Sequence, residues 1–104
     1  MIKVNIKYSG SLIDSIDIFG HAGYDQYGKD IVCASVSSIV ITSVNGILRL
    51  DSKSISYRDE NGIFISVLNH GRVTDTLIDN MVSLLKELEN QYKKNIIIKE
   101  VHSC

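Results

Sequence analysis

His21 and Cys33 stand twelve positions apart, and they are the residues of this chain whose types and setting support chemistry. An imidazole can take the proton of a thiol, and the resulting thiolate attacks a carbonyl carbon. Twelve positions is too far for a helical pair, so only a strand–loop–helix turn can bring the two together. The intervening sequence reads that way. His21 ends a predicted strand, a loop containing Gly20, Gly23 and Gly28 comes next, and a helix begins at Asp30 with Cys33 in its first turn. With Asp30 as N-cap, Cys33 is the third helical residue, where unpaired N–H groups and the helix dipole stabilise a thiolate. The same N–H groups are the natural donors to an oxyanion. The Asp30 carboxylate itself opposes a neighbouring thiolate, so its useful role is to accept the ring N–H of His21 as a third member of the site. Ser37 lies one turn after Cys33 on the same face, either hydrogen-bonding within the site or merely packing. Tyr24 and Tyr27 either line a pocket for an apolar side chain or face solvent.

Plainer readings stand beside these. A cysteine in an apolar helix is most often a small hydrophobe, and a histidine at a strand end is most often packed or solvated. The chain would then be a non-catalytic binding module. A thiol redox sensor is a third reading, but the other cysteine, Cys104, is far along the chain. Gly23-x-x-x-x-Gly28-Lys29-Asp30 nearly matches a phosphate-binding loop, except that Asp30 puts negative charge where Ser or Thr should bind magnesium. His21, Cys33, His70, His102 and Cys104 match no ligand spacing, so neither a metal nor another cofactor is expected.

The elements that must position these residues can be read from patterning. Residues 2–8 alternate, with Ile2, Val4, Ile6 and Tyr8 on one face; residues 12–19 pair with them as a hairpin through Ser9-Gly10-Ser11. A helix from 30 to about 49 carries a stripe of Val32, Val36, Ile39, Val40, Ile47 and Leu48. Its small residues Ala34, Ser35, Ser37 and Ser38 are expected to let it approach the sheet, and Gly46 to fray its last turn. Residues 53–58 and 62–68 form a second hairpin across Asn61-Gly62. A second helix over 72–93 places Val73, Leu77, Met81, Leu84, Leu85 and Leu88 at helical spacing, and 96–101 is a last strand. The order ββαββαβ predicts an α+β fold, an antiparallel or mixed sheet packed by two helices as a small sandwich.

The 104 residues suffice for a single domain over 1–104 with one core. The net charge of −1 argues against direct nucleic-acid binding but leaves a basic protein open as substrate. Two cysteines form no disulfide framework, the N-terminus reads as a strand rather than a signal peptide, and no apolar run is read as approaching a membrane span. These features predict a reduced, cytoplasmic protein with no membrane partner.

Gly20-His21-Ala22, followed by Gly28-x-Asp30-Ile31-Val32-Cys33-Ala34-x-Val36-Ser37, resembles the ribosomal-processing cysteine protease family Prp, over essentially the whole chain in length and element order. The resemblance implies a small α/β homodimer that removes a short N-terminal extension from a bacterial large-subunit ribosomal protein (number twenty-seven in the naming series). The implied cut comes after an aromatic residue and exposes an alanine. Carried over residue by residue, the resemblance makes Cys33 the nucleophile and His21 the general base. Asp30 and Ser37 match further positions of the family's pattern. The loop 22–29, with Ala22, Gly23, Tyr24, Tyr27 and Gly28, becomes a mobile cover over the peptide, and Gly20 is counted with these substrate-loop residues.

Overall fold

A computed structural model describes residues 1–103. Cys104, and with it any pairing of Cys104 with Cys33, lies outside the described residues. The elements keep the predicted order: β1 (Ile2–Ser9), β2 (Leu12–Phe19), α1 (Ile31–Leu50), β3 (Ile55–Asp59), β4 (Ile63–Val67), α2 (Arg72–Gln91) and β5 (Ile96–Ser103). The strands form one five-stranded sheet in the order β3-β4-β2-β1-β5. β5 runs parallel to β1 and the other pairs are antiparallel, so the sheet is mixed. Asn61 and Gly62 turn the second hairpin with φ of 53° and 140°, conformations that Asn tolerates and Gly takes freely.

Alternation determines which face of the sheet is covered. Ile2, Val4, Ile6, Ile16, Ile18, Ile65 and Ile96 are buried beneath the helices, while Lys3 and Lys7 point to solvent from the opposite face. Strict alternation fails in β2, where Lys7 pairs with Ser15 but the next residue, Tyr8, pairs with Ile13. Asp14 is the extra residue of a β-bulge. Without it, the parity that buries Ile16 and Ile18 would turn Asp14 inward and Ile13 outward. The bulge reverses this, so Ile13 is buried and Asp14 reaches the surface.

α1 packs through Val32, Val36, Val40, Val44 and Ile47. β-branched residues four apart make a narrow ridge against the sheet. The small residues expected at this contact lie elsewhere: Ala34 and Ser38 are exposed on the side of the helix away from the valine ridge, and Ser37 is exposed on the ridge's flank, one turn from Cys33. The last turn does not fray either. Ile47 is buried, and the Asp51 N–H closes on the Ile47 carbonyl at 2.9 Å. α1 is also long and apolar enough, by length and composition, to cross a membrane, which corrects the expectation that no run approaches that length. Residues 31–48 carry no charged side chain, and the fold uses that apolarity to bury the valine ridge. In α2 the buried stripe is Thr74, Ile78, Met81, Val82 and Leu85, rotated from the predicted one, and Val73 and Leu84 are exposed. α2 meets two neighbours, the sheet and α1, so a single stripe does not describe it.

The bulge has an electrostatic partner. His70, just before α2, places Nδ1 2.8 Å from Asp75 and Nε2 3.0 Å from Asp14. The Asp75 hydrogen bond raises the imidazole pKa, partial burial opposes it, and Asp14 adds to the rise. Both ring nitrogens donate only when the ring is charged. A raised folded-state pKa gives stability that is fully present below the unfolded value of 6.5 and lost as pH rises through the folded value. His70→Gln is therefore expected to lower the free energy of unfolding at about pH 6 more than at about pH 9, by on the order of 1 kcal/mol or less because Asp14 is solvated, read as a larger fall in melting temperature at the lower pH. Equal losses at both pH values would show that the clamp is not charged.

Candidate active site

Gly20 ends β2 with φ of 92°, and a Cβ there would lie 2.5 Å from the Met1 carbonyl oxygen. Only glycine meets both constraints. The chain turns there, His21 leaves the sheet, and the loop runs back to α1.

Asp30 organises the loop and the first turn of the helix. It is the N-cap of α1, as its position in sequence predicts, with Oδ1 accepting the N–H groups of Val32 (2.9 Å) and Cys33 (3.0 Å). Oδ2 accepts those of Tyr24 (2.9 Å) and Asp25 (3.2 Å). One carboxylate thus ties the loop to the helix. Partial desolvation pushes its pKa up, but the four backbone donors outweigh it and hold the carboxyl below its ordinary range.

Two expectations change as a result, and the rejection of a third reading gains a reason. Asp30 makes no hydrogen bond to His21 among the described residues, because its acceptors are already turned to the backbone. The Val32 and Cys33 N–H groups, expected as oxyanion donors, are taken by the cap. The near-match to a phosphate loop fails for the same reason, since a carboxylate occupies the cradle of N–H groups that an anion would need.

Cys33 is half-buried against the core at the foot of α1. The backbone N–H of Ala22, itself 3% exposed, donates to Cys33 Sγ at 3.3 Å. His21 is exposed, and no hydrogen bond joins its ring to the sulfur among the described residues. Two clefts meet at this thiol. One is lined by Phe19, Gly20, His21, Tyr27, Cys33 and Ser37 and closed by Asp59, Asn61 and Gly62 at the tip of the β3–β4 hairpin. The other is lined by His21, Gly23, Asp25, Tyr27, Gly28, Asp30, Cys33 and Ser37. His21, Tyr27, Cys33 and Ser37 line both.

Two loop residues expected to face a ligand do not. Ala22 is buried, and Tyr24 packs edge-on against Tyr92 of the α2–β5 connection, with ring centroids 5.4 Å apart. Tyr27, by contrast, is 98% exposed and lines both clefts. Sequence reasoning missed the hairpin tip and the α2–β5 connection. Asn61-Gly62 was legible as a turn, but nothing local places it beside Cys33. The histidines disperse: His70 holds Asp14 and Asp75, and His102 stacks on Tyr8. Among the described residues no three His, Cys, Asp or Glu side chains gather as a metal site.

With this geometry the likeness to known proteins is specific. The family model for cysteine protease Prp matches residues 1–97. The ribosomal processing cysteine protease Prp of Staphylococcus aureus is 34% identical over 104 residues, spanning 91% of this chain and 92% of that protein. The protein of the same name from Bacillus subtilis is 28% identical over 105 residues, spanning 92% and 94%. The crystal structure of S. aureus Prp with a covalently linked product peptide superposes with a TM-score of 0.91 at 26% identity, covering 97% of this chain and 100% of that one. The same protease with a substrate peptide gives a TM-score of 0.85 at 25% identity, with the same coverage. A family match over nearly the whole chain, joined to a shared fold, places this protein in the Prp family and makes it a cysteine peptidase.

Proposed function

We propose that this protein is an endopeptidase that removes the short N-terminal extension of a large-subunit ribosomal protein, number twenty-seven, with Cys33 as nucleophile and His21 as general base. The observation that carries this reading is the position of Cys33 where two clefts meet, with His21 on the wall of both. His21 takes the thiol proton. Cys33 Sγ attacks the scissile carbonyl, and the tetrahedral intermediate collapses to a thioester as the imidazolium gives its proton to the departing amine. Water, deprotonated by the imidazole, then hydrolyses the thioester, releasing the cleaved extension as its acid and restoring the thiol. The covalently linked product peptide in the S. aureus relative supports a covalent route.

Tyr27, Gly23 and Gly28 of the loop cover the peptide, and Ser37 hydrogen-bonds within the cleft. The net charge of −1 suits an extension leading into a basic ribosomal protein. We infer further that residues 1–104 act as one domain, in the cytoplasm, as a homodimer. The outward face of α1, with Ala34, Ser38, Ile41 and Thr42 exposed and no charge, supports a contact between copies. A purely monomeric species in sedimentation would remove the dimer.

The test of the function is cleavage. Incubation with the same organism's ribosomal protein, and with a peptide of its N-terminus, is expected to give a single cut after an aromatic residue, read by mass spectrometry. An intact extension in both substrates would overturn the assignment.

A further inference from the structure

Resting on the reading of Cys33 as nucleophile, we propose that Asn95 is a positioning residue for catalysis. Its side-chain amide holds the Ala22 segment so that the Ala22 N–H points at Cys33 Sγ. Asn95 Nδ2 donates to the Ala22 carbonyl at 2.9 Å across 73 positions of sequence. The Ala22 N–H donates to Sγ at 3.3 Å. Asn95 is itself fixed at both ends of its backbone, its N–H on the Tyr92 carbonyl (2.9 Å) and its carbonyl accepting the Ile2 N–H (2.8 Å). The donor that reaches the sulfur is thus referenced to the start of β1 and the end of α2, the rigid part of the fold, rather than to the glycine-rich loop.

The arrangement assigns a division of labour. Asp30 ties down Tyr24 and Asp25 but spends its acceptors on the first N–H groups of α1, so those do not serve the sulfur. Ala22 supplies the N–H that does, and a hydrogen bond to a charged acceptor is stronger than one to a neutral acceptor. The bond is therefore strongest when the sulfur carries charge as it attacks. Ala22 is followed directly by Gly23 with φ of 68°, so without an anchor on its carbonyl the segment has freedom to swing the N–H away.

The experiment compares alkylation of Cys33 by iodoacetamide at neutral pH, peptide cleavage and thermal melting in the wild type and three variants. Asn95→Ala removes the amide. Asn95→Asp keeps its size and shape but replaces the donor with an acceptor, and the thermal melt of each variant shows whether it is folded under the conditions of the assay. Asn69→Ala is the control: it loses a comparable amide-to-carbonyl bond, 2.8 Å to Lys53, away from the site. Both Asn95 variants are expected to alkylate about tenfold more slowly, with kcat falling in parallel and KM little changed. Asn69→Ala should lose similar stability and keep its alkylation rate. The proposal is overturned if Asn95→Asp alkylates at the wild-type rate, or if Asn69→Ala slows as much as Asn95→Ala. A wild-type Cys33 that alkylates no faster than free cysteine would take down the nucleophile assignment as well, which separates the two failures.

Discussion

Cys33→Ala is expected to abolish peptide cleavage, a loss of at least about 10⁴-fold, while the protein stays folded. Of the side chains that line both clefts, the thiol is the strongest nucleophile near neutral pH, and the Ser37 hydroxyl is too weak a nucleophile to replace it. Its structural share is small. Cys33 is half-buried beside a core made of other residues, and removing one such atom costs on the order of 1 kcal/mol. His21→Ala is expected to lower cleavage by about 10²–10⁴, the range for loss of a positioned general base. His21 is exposed, so its melting temperature should hardly move. Cleavage assayed beside circular dichroism melts separates chemistry from folding. A variant of either residue that still cuts at full rate would sink the dyad.

Asp30→Asn is expected to lower cleavage by about 10- to 100-fold, the scale of a small misplacement of a binding element. Asparagine is a good N-cap, so its oxygen continues to accept from Val32 and Cys33 and α1 stays intact. The amide NH₂ then faces the N–H groups of Tyr24 and Asp25, donor against donor, and the loop is released. Charge pulls the other way, because removing a carboxylate near the sulfur favours the thiolate. The loop effect wins, because four backbone N–H groups already compensate that charge. Unchanged or faster cleavage would mean that the loop tie is irrelevant. The wild-type tie also has a predictable acid limit. Asp30 has a folded pKa below its ordinary 3.8, so its contribution is present above that value and disappears as pH falls through the lower one. The loop should thus hold across the mildly acidic range.

The elements themselves were readable from the sequence. Alternation in β1, the valine stripe of α1, Asp30 as N-cap and Asn61-Gly62 as a turn are local signals, decided by sterics and hydrogen bonds within a few residues. One strand–loop–helix unit contains both the histidine before the loop and the cysteine after it, which is why the proposed pair could be named from the sequence; in the structure both line the same two clefts. The stripe of α2 was misjudged because burial there depends on two neighbours. The exposure of Ala34, Ser37 and Ser38 was misjudged because small size does not say which side of a helix faces the sheet.

The sequence by itself determined the order of elements, the cap that places Cys33 at the third helical position, and the candidate pair of His21 and Cys33. Tertiary structure decided the rest. The bulge at Asp14, which swaps Ile13 inward, depends on register with β1. The wall formed by Asn61 and Gly62 depends on β4 pairing with β2. The hold of Asn95 on Ala22 depends on β5 lying parallel to β1, which brings residues 73 apart in sequence to within 2.9 Å. Local propensity encodes backbone angles and faces, but which N–H finds the sulfur is settled only when distant strands close the sheet.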